Sequence, residues 1–185
     1  MVTAEFSPII ENFTNQNLTI MKPELHISWH EYHQLIETLA SQIYQSQWQF
    51  DQILCLARGG LRIGDILSRL YKVPLAIVAA NSYVDHQRHD LTLSHNITMT
   101  APSLGHKLLV VDDLVDSGIT LQAVQTWLHQ EFPQTQTRTA VLWYKAQSII
   151  KPDYFVTYLD QNPWIHQPFE KYENIHPRDL RPKNL

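Results

Sequence analysis

The sequence predicts an α/β fold in which a mainly parallel sheet is flanked by helices, and three observations predict it. Gln52 to Ala57, Val73 to Ala80 and Leu108 to Val111 are short, nearly continuous apolar runs, the pattern of strands buried on both faces of a parallel sheet. Between them lie segments whose apolar residues recur at helical spacing, as in Ile63, Ile66, Leu67 and Leu70. Glycine-containing turns, Arg58-Gly59-Gly60 and Asp116-Ser117-Gly118, follow two of the runs. Alternating strands and helices imply right-handed crossovers, which place a ligand crevice at the carboxyl ends of the strands.

Taken in order, residues 1–23 are polar and weakly patterned, with Asn12, Asn15, Gln16 and Asn17 close together, and read as an N-terminal extension. Ser28-Trp29-His30-Glu31 is a capping box, and Leu35, Ile36, Leu39, Ala40 and Ile43 follow at helical spacing, predicting a helix over 29–44. A strand over 52–57, a second helix and a strand over 73–80 come next. From Asn81 to Gly105 the pattern dissolves into a polar stretch holding Asp85, His86, Arg88, His89, Asp90 and His95, read as a long loop. Beyond the strand ending at Val111, the residues Val124, Trp127 and Leu128 mark a third helix, and strands are expected over 138–144 and 154–159. The core is therefore placed at 24–159, with 160–185 as a C-terminal appendage and tail.

With 185 residues, 44% hydrophobic and 17% charged, the chain suits one domain with a sizeable core. A net charge of −4 gives no support for a nucleic-acid partner, which a basic patch would mark. The single cysteine excludes an intrachain disulfide framework and points to a reducing compartment. Cys55 lies inside an apolar run and reads as a core thiol. No run of about 18 apolar residues and no cationic leader pattern is present, so no integral membrane contact and a cytoplasmic location are expected.

The chemistry concentrates in Leu108-Leu109-Val110-Val111-Asp112-Asp113-Leu114-Val115-Asp116-Ser117-Gly118-Ile119-Thr120. A buried strand runs into two adjacent carboxylates and then into a short polar turn that opens a helix. Amides from Asp116 to Thr120, with the Ser117 and Thr120 hydroxyls, can cradle a phosphate where the helix dipole favours negative charge. Asp112 and Asp113 cannot hold phosphate directly, but suit ribose hydroxyls or a divalent metal. An isolated Asp-Asp pair at a strand end is ordinarily a turn former and cap. The whole string, however, resembles the phosphoribosyl pyrophosphate (PRPP) motif of the type I phosphoribosyltransferases: four hydrophobic residues, two acidic residues, then D-[ST]-G-x-T.

Ala57-Arg58-Gly59-Gly60 is a second strand-to-helix turn. Its glycines permit close approach of backbone to a ligand, and its guanidinium can bind phosphate oxygens in bidentate fashion. In the family this loop holds pyrophosphate, often through a cis peptide, which the resemblance places at Arg58-Gly59. Further motifs resemble the bacterial xanthine-guanine branch: His26-Ile27-Ser28-Trp29, Ala57 to Leu61, Ser82-Tyr83 through Gln87-Arg88, Lys145, and Trp164 to Glu170. Together they span about Glu24 to Glu170. His166 stands where the pattern has an acidic residue, and Phe169 where it has tryptophan.

The resemblance implies a type I phosphoribosyltransferase fold with a small C-terminal base-binding hood. It also implies transfer of 5-phosphoribose from PRPP to a 6-oxopurine with release of pyrophosphate, Mg²⁺ as cofactor, and a dimer or tetramer. By the same resemblance, Arg58, Gly59, Gly60, Asp112, Asp113, Asp116, Ser117, Gly118, Ile119 and Thr120 bind PRPP, with Asp112 and Asp113 toward the metal. Lys145 meets the purine 6-oxo group, Trp164 stacks on the base, and Ile165 and His166 flank position 2. Asp116, Arg58 and Arg88 carry the chemistry: Asp116 exchanges the N7 proton, and the arginines assist the leaving group as the loop from Tyr83 to Leu104 closes.

Three other readings are weaker. The loop histidines His86, His89 and His95 lack a thiolate or H-E-x-x-H partner, so no zinc site is expected there. A non-catalytic PRPP- or nucleotide-binding regulator of the same fold would keep the Asp112–Thr120 site but lose the pyrophosphate or base contacts, and Arg58, Gly59, Lys145 and Trp164 are present. A response-regulator receiver would begin at the acidic strand, whereas more than a hundred residues precede it here.

Overall fold

The computed structural model describes residues 23–85, 88–94 and 96–180. The N-terminal extension up to residue 22, His86 and His95 lie outside the described residues. Strand β1 (Glu24–His26) leads into α1 (Trp29–Gln45). The capping box forms as the sequence predicts: the Glu31 amide donates to Ser28 Oγ at 3.2 Å and the Ser28 amide to the Glu31 carboxylate at 2.8 Å. Then follow β2 (Gln52–Ala57), α2 (Leu61–Tyr71), β3 (Leu75–Asp85), β4 (Arg88–Leu93), β5 (Thr98–Met99), β6 (Lys107–Val111), β7 (Leu114–Val115) and α3 (Ile119–Glu131). Strands β8 (Gln136–Lys145), β9 (Tyr154–Leu159) and β10 (Trp164–His166) precede two short 3-10 turns, Glu170–Glu173 and Pro177–Asp179.

An eight-stranded sheet forms the centre. Strands β3, β2, β6 and β8 run parallel in that spatial order, and β7 and β9 both pair in parallel with β8. The pleat explains the continuous apolar runs. Ile53, Cys55, Leu109, Val111 and Leu142 point to one face and pack on Tyr32, Ile36 and Leu39 of α1 and Ile63 and Leu67 of α2. Leu54, Leu56, Leu108, Val110 and Val141 point to the other and pack on Val124 and Leu128 of α3. Each fully buried aliphatic contributes roughly 1.5–3 kcal/mol by leaving water, so these two layers hold the strand ends in place. Cys55 belongs to the first layer, and burial pushes its thiol up to about 12, the state of an inert core residue.

The segment read as a loop from Asn81 is structured differently. Strand β3 continues to Asp85 and turns back as β4 in an antiparallel ladder running from Ala80 opposite Leu93 to Asp85 opposite Arg88, and β5 adds to β3 as well. An antiparallel ladder is built from backbone hydrogen bonds, and the polar composition of 81–90 gave no apolar period to mark it. A separate two-stranded parallel sheet joins β1 to β10, pairing Glu24 with Trp164, Leu25 with Ile165 and His26 with His166. It sits over the carboxyl end of the main sheet as a small hood, held by Phe169 against Tyr32 and Trp29. No helix among the described residues is long and apolar enough to cross a membrane.

Candidate active site

The carboxyl ends of β2 and β6 and the hood enclose a cleft of about 880 Å³, at the large end of the range for small-molecule sites and roomy enough for a ligand with two parts. Its floor is made of two loops pressed together. Gly59 and Gly60 follow β2, and a Cβ at Gly59 would overlap the Asp112 and Asp113 carboxylates. One at Gly60 would overlap the Val111 carbonyl and come within 3.0 Å of the Leu56 carbonyl. Both glycines are thus demanded by packing of one strand end on the other. The cis peptide in this loop lies at Ala57-Arg58, one bond earlier than the resemblance implies.

The second loop runs from β6 into α3. Gly118 caps the helix with φ 81°, a left-handed conformation, and a side chain there would strike Ser148 and Ile150. The Ile149 amide donates to the Ser117 carbonyl at 2.9 Å and braces the turn from outside. The first amides of α3 have no intrahelical acceptor, and they open on the cleft wall formed by Ser117, Gly118, Ile119 and Thr120. Such a terminus is an anion site.

Two carboxylates stand beside it. Asp112 Oδ1 accepts from the Asp113 amide at 2.9 Å, and Asp113 Oδ2 accepts from Gln167 Nε2 at 2.5 Å. Burial, reinforced by the charge of Asp113, holds the Asp112 carboxyl well above the ordinary carboxylate value; burial also raises Asp113, partly offset by the Gln167 hydrogen bond. Two carboxyls that burial, and for Asp112 the charge of Asp113, push toward protonation gain most from a hard divalent cation, and this donor set fits one.

Behind the other wall Lys145, at the end of β8 and only 4% exposed, places Nζ 3.2 Å from Oδ2 of Asp116, which lines the cleft. Gln147 donates to the other oxygen, Asp116 Oδ1, and accepts from Asn162. Trp164 lies across the cleft, 59% exposed and lining it. The ammonium meets the cleft through Asp116, and the exposed Trp164 indole offers a stacking surface on the cleft lining. Arg58 reaches over the mouth to Glu173, 3.4 Å away on the first 3-10 turn.

The phosphoribosyl transferase domain model matches residues 28–174, which spans the sheet, both loops and most of the hood. The chain belongs to this family. A xanthine-guanine phosphoribosyltransferase of Idiomarina loihiensis is 33% identical over 151 residues, covering 80% of this chain and 88% of that one. The solved xanthine-guanine-hypoxanthine phosphoribosyltransferase of Helicobacter pylori superposes with a TM-score of 0.68 at 25% identity, over 81% of this chain and 95% of that one. A purine phosphoribosyltransferase from Pyrococcus horikoshii, at 24% identity, shares the fold with a TM-score of 0.61 over 79% of this chain and 93% of that one. The architecture is the type I phosphoribosyltransferase fold.

Within that fold, the structure brings Arg58, Gly59, Asp112, Asp113, Asp116, Ser117, Gly118, Ile119, Thr120 and Trp164 together around one cleft. Gly60 lies buried beneath it, and Lys145 reaches it through Asp116. Arg88 is the first residue of β4, and its side chain is outside the described ones. Ile165 turns into the core, 5% exposed. His166 is not among the residues that line the cleft. Its ring stacks on His26, its direct cross-strand partner, and faces Glu24, so cross-strand pairing draws it away from the cleft lining. Sequence reasoning missed Gln147, Gln167 and Arg62, whose guanidinium lies 4.1 Å over the Phe169 ring. Gln167 lies inside the Trp164 to Glu170 stretch, yet nothing in a sequence says that its amide crosses to Asp113.

Proposed function

We propose that this chain is a purine phosphoribosyltransferase that transfers 5-phosphoribose from PRPP to a 6-oxopurine and releases pyrophosphate. The observation that carries this reading is the convergence in one cleft of a helix-terminus anion site, a carboxylate pair, an open tryptophan and Asp116, which a buried lysine holds from behind. The α3 terminus with Ser117 and Thr120 takes the 5-phosphate, while Arg58 and the Gly59 amide take the pyrophosphate. Asp112 and Asp113 orient the ribose hydroxyls. A divalent cation held at these two carboxylates, Mg²⁺ by the nature of the donors, would neutralise the charge of the departing pyrophosphate.

Lys145 donates to the 6-oxo oxygen and Trp164 covers the ring. Asp116, fixed on one oxygen by Lys145 and on the other by Gln147, keeps lone pairs free to accept the N7 proton as N9 bonds to the ribose. Arg88, at the start of the β3–β4 return, is the further candidate for the pyrophosphate. Residues 160–180 with β1 act as the base-binding hood, in a cytoplasmic homo-oligomer. The deciding experiment is a turnover panel with PRPP, Mg²⁺ and guanine, xanthine, hypoxanthine or adenine supplied singly. Nucleotide formation from the three 6-oxopurines is expected, and PRPP bound without turnover of any base would overturn the reading.

A further inference from the structure

The hood carries a second polar cluster, on the side where β1 meets β10. His26 lies directly opposite His166 in the parallel register, and Glu24 precedes His26 by two residues, so all three project from one face of the small sheet. The two imidazoles stack with centroids 4.3 Å apart and planes 7° from parallel. Glu24 Oε2 lies 3.3 Å from His26 Nε2 and 3.4 Å from His166 Nε2. One ligand atom from each residue falls within 4.8 Å of the other two, the one such trio of His, Cys, Asp or Glu groups among the described residues.

His166 Nε2 is shielded from water and makes no hydrogen bond, an arrangement that costs free energy unless something occupies its lone pair. On the opposite side of the same ring, Glu170 Oε2 faces Nδ1 at 3.9 Å. With Glu24 taken up by an ion, Glu170 is the carboxylate left to hold a proton on Nδ1, the outer partner that metal-bound histidines commonly have.

We propose that Glu24, His26 and His166 bind a transition-metal ion of the zinc class, with Glu170 as the outer carboxylate. Metal–ligand bonds of about 2.0–2.1 Å in a tetrahedral site set ligand atoms about 3.3–3.4 Å apart. Glu24 Oε2 already stands at that spacing from both nitrogens, and an ion would draw the exposed His26 ring out of its stack on His166 so that both in-plane lone pairs meet it. Two imidazole donors select zinc over magnesium, which separates this site from the Asp112–Asp113 pair. The fourth position is left to water. An ion here ties β1 to β10, the strand that presents Trp164, and acts as a staple on the hood.

The test uses the tag-free, full-length protein in Mg²⁺-containing buffer and reads zinc uptake by competition with a chromophoric chelator, together with the imidazole NMR signals. One tightly held equivalent of Zn²⁺ is expected, with the His26 and His166 resonances perturbed and the melting temperature raised. Glu24→Gln and His26→Ala should each weaken uptake by more than the roughly 10–100-fold typical of losing an outer partner, and Glu170→Gln by about that amount. The proposal is overturned if wild type takes up no stoichiometric zinc, if the perturbed resonances belong to other histidines, or if Glu24→Gln binds zinc like wild type. None of these readouts depends on phosphoribosyl transfer.

Discussion

The two walls of the cleft are built by different means. The phosphate wall comes from two contiguous stretches, Ala57 to Gly60 and Asp112 to Thr120, fixed at the ends of strands whose side chains fill both core layers. Its groups are largely backbone amides and carboxylates, and its glycines leave no room for adjustment. The base wall is assembled from Gln147, Trp164 and Gln167, with Lys145 behind it, drawn from two stretches of chain, and is roofed by a sheet with three residues in each strand. One wall is rigid and local in sequence, the other small and side-chain built. The difference teaches that one wall is fixed by the core alone, while the other joins a core residue, Lys145, to a small appendage that carries Trp164 and Gln167.

The largest expected effect removes what the phosphate wall cannot supply alone. With EDTA in place of Mg²⁺, turnover should fall to background and return with Mg²⁺ or Mn²⁺, because Asp112 and Asp113 would otherwise face a highly charged leaving group. Full activity in chelator would mean that this wall works through Arg58 and amides only.

On the base wall, adenine should be rejected relative to hypoxanthine by about 10⁴-fold in kcat/KM, since its 6-amino group leaves the buried Lys145 donor unpaired. Steady-state rates with the two bases decide it. Efficient use of adenine would detach Lys145 from base choice and erase the contrast between the walls.

How much of this was legible follows the same division. The phosphate wall could be read residue by residue, because a buried strand, two acidic residues and a glycine turn are adjacent in the chain and each constrains the next. Helix α1, with its Ser28–Glu31 cap, and strands β2 and β9 were legible for the same local reason. The β3–β4 return was not, since ladder hydrogen bonds leave no trace in a polar stretch. Nor was the turn of His166 toward His26, which depends on β1 meeting β10 from the far end of the chain. Gln167 reaching Asp113 across the cleft is likewise a tertiary fact.

Asp116 belongs to both walls, and its replacement separates binding from chemistry. Asp116→Asn keeps the shape of the turn, so the dissociation constant for PRPP should change little, while single-turnover transfer should slow by about 10²-fold or more, the scale of losing a positioned acid–base group. An unslowed chemical step would move the proton transfer elsewhere. A parallel loss of PRPP affinity would show that Asp116 serves the phosphate wall only.

The smallest effect probes the electrostatic strain of the phosphate wall. The Asp112 carboxyl lies well above its ordinary value of 3.8, chiefly through burial and then through the charge of Asp113. A group raised on folding contributes stability that is fully present below its unfolded value and is lost as pH rises through the folded one. In EDTA the wild-type protein should therefore lose stability from this source as pH climbs from about 4 toward neutrality, as the buried pair ionises. Asp112→Asn cannot ionise there and retains an oxygen for the Asp113 amide, so at pH 7 it should melt higher than wild type, each kcal/mol appearing as about 2–4 °C in a chain of this size. The gain should shrink toward acid pH. Mg²⁺ should stabilise wild type at pH 7 and leave Asp112→Asn less affected, because relief of repulsion is what the ion supplies. Melting curves at three pH values, with and without Mg²⁺, measure all of this, and a variant that melts below wild type at pH 7 in EDTA would show that the carboxylate pair is already relieved by the protein itself.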